Sequence, residues 1–216
     1  MDLARIVAPG RVVAIDAAPG ILAEAKATCV SAGVTNVEFH EADAEALPYD
    51  DGSFDVVHAH QVLQHVQHPV RVLEEMRRVC RPGGVVAARD GDYATWTWWP
   101  GEPAMDRWLE LYSSVARRNG GEPDAGRRLL AWAREAGYSK VDAGASVWCA
   151  ATPSDRHWWA DLWADRVTST ALGDRAVELG LATRPELEEI AAGWRHWAEA
   201  PDGWLAIVHG EILCEA

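Results

Sequence analysis

Three aspartates punctuate three short apolar runs in the first sixty residues. Asp16 ends Arg11-Val12-Val13-Ala14-Ile15-Asp16, Asp43 ends Asn36-Val37-Glu38-Phe39-His40-Glu41-Ala42-Asp43, and Asp55 opens Phe54-Asp55-Val56-Val57-His58-Ala59-His60. Residues 11–16 are apolar without alternation, which predicts a strand buried on both faces. A helix must follow at once, because Pro19 suits a first helical turn and Gly33 closes the segment. The same reading gives a helix end at 2–7 stopped by Pro9-Gly10, strands at 36–40, 54–59 and 85–89, and an amphipathic helix over 67–80. Pro48 to Ser53 and Arg81-Pro82-Gly83-Gly84 read as turns. Helix and strand alternating through short connections demand a parallel sheet with right-handed crossovers. The fold class is therefore α/β, a doubly wound, mostly parallel Rossmann-like sheet.

Beyond Asp90 the texture changes. All 12 tryptophans lie between Trp96 and Trp204, so the second half must build its core differently from the first. Gly91 to Pro103 reads as an aromatic-rich loop. Residues 104–118 and 124–136 read as amphipathic helices, 139–151 as a strand, 154–200 as helical, and 204–213 as a final strand. Two late strands returning to the sheet would give it an antiparallel C-terminal edge. At 216 residues, one domain spanning 1–216 is expected, with Trp-rich helical elaborations at about 91–136 and 154–200.

The net charge of −13 disfavours nucleic acid and anionic membrane surfaces as partners, since both require a basic footprint. Cys29, Cys80, Cys149 and Cys214 form no C-x-x-C pair, which signals neither zinc nor a redox motif and suits a reducing compartment. No secretory signal and no apolar run of membrane-spanning length is visible, so the cytoplasm is the expected location. His58, His60, His65 and His68 lie close in sequence. No cysteine or carboxylate completes a recognised ligand spacing around them, and no metal is expected.

Four segments together carry a resemblance: Val13-Ala14-Ile15-Asp16; Glu41-Ala42-Asp43-Ala44-Glu45-Ala46-Leu47-Pro48; Phe54-Asp55-Val56-Val57 running into Val62-Leu63-Gln64-His65-Val66; and Arg81-Pro82-Gly83-Gly84. In this order and spacing the chain resembles the class I S-adenosylmethionine-dependent methyltransferases, near the ubiquinone and menaquinone biosynthesis group. The resemblance covers residues 1 to about 90 and implies S-adenosylmethionine as cofactor. It places Asp16, with Ala17 beside it, on the ribose diol. It places Asp43 on the adenine amine and the Ala44 amide on the ring. His60 and Gln61 would line the methionine end. A helix N-cap for Asp16 and a solvated turn for Asp43 are the competing structural roles.

One departure is large. The family's first strand, in mid-sheet, ends in a glycine-rich turn facing the amino-acid part of the cofactor, and this chain has no G-x-G. Without that strand two buried strands lose a neighbour. Each backbone group left buried and unsatisfied costs about 1–3 kcal/mol against a net stability of about 5–15 kcal/mol. Two readings follow: the functional protein begins upstream of Met1, which is the favoured one, or the chain is a fragment that closes the gap in another way.

Methyl transfer needs alignment and exclusion of water, and a base only where the acceptor must lose a proton. No dedicated base stands out. The Asp90–Pro100 segment is the expected acceptor lid, with Asp92, Tyr93, Trp96 and Trp99 as substrate-binding residues for a small molecule. Trp108, Trp132, Trp148, Trp163 and Trp194 lie on amphipathic elements and are expected in the core. Arg127-Arg128 reads as an exposed helix pair. Two other functions compete. One is a non-catalytic methyltransferase-like binding module. The other is a nicotinamide oxidoreductase, which would also use a strand-end acid, although Tyr138 is followed by Lys140 and not by a lysine four residues on.

Overall fold

A computed structural model describes residues 1–216. In chain order the elements are α1 (Asp2–Ile6), β1 (Val12–Asp16), α2 (Pro19–Ser31), β2 (Val37–Glu41), β3 (Phe54–His60), α3 (Pro69–Val79), β4 (Cys80–Gly91), β5 (Thr97–Trp99), α4 (Pro103–Arg118), α5 (Leu129–Glu135), β6 (Val141–Ala150), α6 (Pro153–Ser169), α7 (Ala171–Glu178), α8 (Arg184–Ala198) and β7 (Trp204–Glu215). Proline occupies the first turn of α2, α3, α4, α6 and α8, where its missing N–H costs nothing. Thr183 and Glu186 cap α8 reciprocally.

The α/β architecture is the expected one, with strands in two groups. β1 and β2 pair in parallel, Val12 opposite Val37 through Asp16 opposite Glu41. β3 pairs in parallel with β4, and β7 runs antiparallel between β4 and the edge strand β6. β5 joins β7 beyond the end of β4. No backbone ladder links β1 to β3.

That gap corrects the expectation of strands buried on both faces. All five β1 residues are half-buried, and β3 exposes Asp55, Val56, His58 and His60. Val56 is 57% exposed, and Val85 and Leu213 on the same sheet face are uncovered as well. Half-exposed strands let their unpaired edge groups meet water, so the penalty for burying them is not incurred in full.

Two hydrophobic cores form, and neither contains a residue before Ala44. One lies between the sheet and α3 and α5, around Leu63, Leu73, Met76, Val86, Leu129 and Ile212. The other is aromatic and joins β5 and β7 to α4, α6 and α8. Trp108 is its hub, edge-on to Trp163 at 4.5 Å, Trp194 at 4.9 Å and Trp96 at 5.0 Å. Such pairs each add about 0.5–1.5 kcal/mol beyond area burial.

Three local expectations are corrected. The turn at 81–84 lies inside β4, where Gly83 takes φ +74° and a Cβ on Gly84 would stand 2.6 Å from Cys80 Sγ. The loop at 91–103 is ordered into a 3-10 turn at Tyr93–Thr95 followed by β5. The helix expected over 124–136 opens as a 3-10 turn at Ala125–Arg128.

Candidate functional site

The parallel pairing of β1 and β2 sets two acids on one edge. Asp16 is the last residue of β1, Ala42 N donates to Asp16 O at 3.2 Å, and Asp43 follows directly. Asp16 Oδ1 accepts from Ala18 N at 2.8 Å, and Asp43 Oδ1 accepts from Glu45 N at 2.8 Å. Each carboxylate thus spends one oxygen on a local turn, and neither is ion-paired. The N-cap of α2 is Ala18, with no side-chain cap, so Asp16 is not the cap. Ala17 is exposed beside Asp16, and half-buried Ala44 packs against the α3 core.

An ion pair between buried Glu75 and partly exposed Arg78 fixes this edge to the rest of the molecule. Glu75, 4% exposed, accepts from Leu47 N at 2.9 Å and from Arg78 at 2.9 and 2.8 Å. Arg78 also donates to Tyr49 O and Leu47 O. The Arg78 hydrogen bonds hold the Glu75 carboxyl below its usual range. The segment after Asp43 is therefore latched onto α3.

His60 and Gln61 stand at the C-terminal end of β3, in a sheet separate from that of β1. Gln61 has φ +55°, the one non-glycine residue in the left-handed region, held by Gln61 N donating to Arg89 O at 2.7 Å. Strain of this kind clusters at functional sites. Arg89 lies at the centre of a polar group, 2.9 Å from His60 Nε2 and 2.9 Å from Glu211, with its guanidinium over the Trp148 ring. Burial first, then the Arg89 charge, depresses His60. The same causes push His209 down to about 4, so both rings are neutral near pH 7.

The expected acceptor residues are distributed differently. Tyr93 and Trp96 are buried in the aromatic core, Tyr93 stacked on Tyr112 and Trp96 edge-on to Trp108 and Trp159. Asp92 is buried and gripped by Arg127 through two 2.6 Å hydrogen bonds, while Arg127 and Arg128 are both exposed, as expected. Trp99 lies at the surface, 60% exposed, with Nε1 on Asp202. Next to them is a residue not singled out as a binding group, Asp90. It is fully buried, and its carboxyl is raised to about 7 by burial. Its position at the end of β4, at the same sheet edge as Gln61, was the available signal.

The residues present fit the nucleoside half of S-adenosylmethionine. Two carboxylates without cationic partners, on the tips of neighbouring parallel strands, suit a ribose diol and an adenine amine. No glycine-rich turn between β1 and β3 offers amides to the amino-acid half.

Comparison with known proteins finds methyltransferases. Residues 1–88 match the family described as "Methyltransferase domain". The chain is 31% identical over 182 residues to an uncharacterized methyltransferase of Schizosaccharomyces pombe, covering 83% of this chain and 64% of that protein. The chain is similar to the class I S-adenosylmethionine-dependent methyltransferases. The chain thus spans a little under two thirds of that relative's length. Among solved structures, the fold matches a Bacillus halodurans protein assigned to the methyltransferases, with TM-score 0.59, 19% identity, and coverage of 99% of this chain and 87% of that one. It also matches Haemonchus contortus phosphoethanolamine N-methyltransferase 2, solved with S-adenosylhomocysteine, at TM-score 0.53 and 16% identity over 95% of this chain and 44% of that one. At these identities the structural matches speak for the fold alone.

Proposed function

We propose that this chain provides the nucleoside grip and the acceptor side of a methyltransferase that moves a methyl group from S-adenosylmethionine to a small-molecule acceptor. The supporting observation is the pairing of Asp16 and Asp43 on one strand edge, each with an oxygen free and no cation beside it. In this reading Asp16 and Ala17 hold the ribose, Asp43 and Ala44 hold the adenine, and His60 and Gln61 face the methionine end. The cofactor supplies an activated methyl on a sulfonium. The chain's own work is to bind, orient and exclude water. Neutral His60 suits a site beside a cation, since it adds no like charge. Among the expected acceptor residues, Asp92, Tyr93 and Trp96 back the wall from within, while exposed Trp99 pairs with Trp204, six residues along β7 from the Gly210 that pairs with Asp90. No membrane-crossing helix is present, and all four cysteines are free, which fits the proposed reducing cytoplasm.

Turnover in this reading requires a polypeptide segment that pairs with both β1 and β3 and brings a glycine-rich turn. The unladdered β1–β3 gap favours that requirement, and it equally favours the second reading, a binding module without turnover.

Calorimetric titration of S-adenosylhomocysteine separates these readings. It is run on this chain and on a form lengthened at its N-terminus by the in-frame upstream residues. Binding by the lengthened form, weakened about 10- to 100-fold in Asp16→Asn through loss of charge-assisted hydrogen bonds, supports the methyltransferase reading. Indifference to both Asp16→Asn and Asp43→Asn rejects it. Binding without methyl transfer in the lengthened form supports the module.

A further inference from the structure

We propose that β6 is a docking surface for a second copy of this chain. The two β6 strands pair antiparallel across a two-fold axis at Ala145 and join the two larger sheets into one. The proposal stands independently of the methyltransferase reading.

β6 is the edge of the larger sheet, on the side away from β3. It pairs with β7 alone, in unbroken register from Val141 opposite Cys214 to Ala150 opposite Leu205. Glu215 N donates to Lys140 O at 3.3 Å. Backbone groups alternate sides along an antiparallel strand. The even-numbered residues therefore turn theirs to β7, and Val141, Ala143, Ala145, Val147 and Cys149 turn theirs outward. No backbone group elsewhere in the chain bonds these outward groups.

Folded proteins blunt such an edge with a bulge, a proline, a charge or a very short strand. β6 has none of these along its uncharged stretch. It is ten residues long, has no proline and no register shift, and carries no charge from Ala143 to Ala150. The other free edges are blunted. β2 is five residues long and carries Glu38 and Glu41, β3 carries Asp55, and β5 has three residues.

Shape selects a second copy as the occupant. Ala143 and Ala145, with Leu129, Leu130, Val208 and Ile212, line a cleft of about 250 Å³ between α5 and the sheet. Val147 lies on the same face of the strand, just past the cleft, and is 57% exposed. A two-fold axis at Ala145 sets Val147 of each copy opposite Ala143 of the other, so each protruding valine meets the other copy's cleft. The same register sets Val141 opposite Cys149 and Ala145 opposite its own counterpart, which gives every outward backbone group a partner. A surface that presents both projection and recess is self-complementary, as a two-fold interface requires. Asp142 falls opposite uncharged Trp148, so no like charges meet on this edge in a chain of net charge −13.

The test is sedimentation velocity on the full chain over about 1–100 μM, where a monomer–dimer equilibrium is expected. Val147→Lys drives a charge into the partner's cleft and should weaken the dimer about tenfold or more. Val56→Lys, on the uncovered face of β3, should leave it within about twofold. The register has its own readout. In a Cys149→Ser background, Ala145→Cys should form a disulfide-linked dimer on mild oxidation, because facing Cα atoms at a hydrogen-bonded pair lie about 5.5 Å apart, within disulfide reach. Ala143→Cys in the same background faces valine and should not link. All five substituted positions are exposed, and circular dichroism melts confirm folding. A wild-type chain that stays monomeric over this range overturns the proposal. So does association that Val147→Lys leaves intact or that Val56→Lys abolishes, and so does linkage through Ala143→Cys in preference to Ala145→Cys.

Discussion

Replacing Glu75 by glutamine should loosen the segment that carries Asp43 and Ala44. The variant keeps an oxygen for Leu47 N but loses two charge-assisted bonds to Arg78. Such bonds are each worth about 1.5–3 kcal/mol. The Arg78 side chain is 31% exposed and retains Asp51, Tyr49 O and Leu47 O, so a total near one such bond, about 2–3 kcal/mol, is the expected loss. For a chain of this length that lowers Tm by about 4–12 °C. The pH dependence has a defined sign. The folded Glu75 carboxyl lies below its ordinary value, so its contribution is complete above about 4.3 and fades as pH falls through the depressed folded value. Far-UV circular dichroism melts at pH 7 and in steps below pH 4 measure both effects. A Glu75→Gln variant melting within about 1 °C of wild type at pH 7 would refute the latch.

Three further outcomes are expected. His209 has a folded pKa of about 4 against an ordinary value near 6.5, so it stabilises the fold above about 6.5 and that stability is lost as pH falls from there toward 4. His209→Gln should flatten the fall of Tm across that window, leaving the slope from His58, His60 and His65 and the opposing one from Asp90, whose carboxyl is raised to about 7, and an unchanged profile contradicts the assignment. Arg127→Ala strands the buried Asp92 carboxylate. It should cost about 2–3 kcal/mol, below the full buried-pair penalty because Arg127 is half-exposed, and adding Asp92→Asn should recover part of the loss in a denaturant melt. Gly210→Ala drives a Cβ into the backbone carbonyl of Gly126, so soluble folded protein should fall sharply on expression.

The order of elements was readable because its signals are local. Pro19 and Pro69 open helices, Gly33 and Gly137 take positive φ at helix ends, and Asp16 and Asp43 come to one edge through the register of β1 and β2. Burial was not readable in the same way. Val12 to Asp16 and Val56 are apolar, but an apolar strand is buried only if something lies beside it, and β1 and β3 each lack one neighbour. Long-range pairings were invisible too, such as Arg127 with Asp92, 35 residues apart, and Leu47 with Glu75, 28 apart. Glu75 did carry a signal. It lies three residues after Val72 and four before Val79, within the buried stripe of α3, where a lone carboxylate demands a partner. The ordered course of 91–103 had no local cue, because β5 exists only through its pairing with β7, Thr97–Trp99 opposite Ala206–Trp204.

The crowding of every indole after residue 95 divides the molecule optically. Emission on excitation at the tryptophan band follows the helices around Trp108 and is blind to α1, β1, α2 and β2. If the N-terminal lobe opens before the remainder melts, ellipticity changes while emission stays constant. The difference between the two curves then reports the lobe that carries Asp16 and Asp43, with no label added.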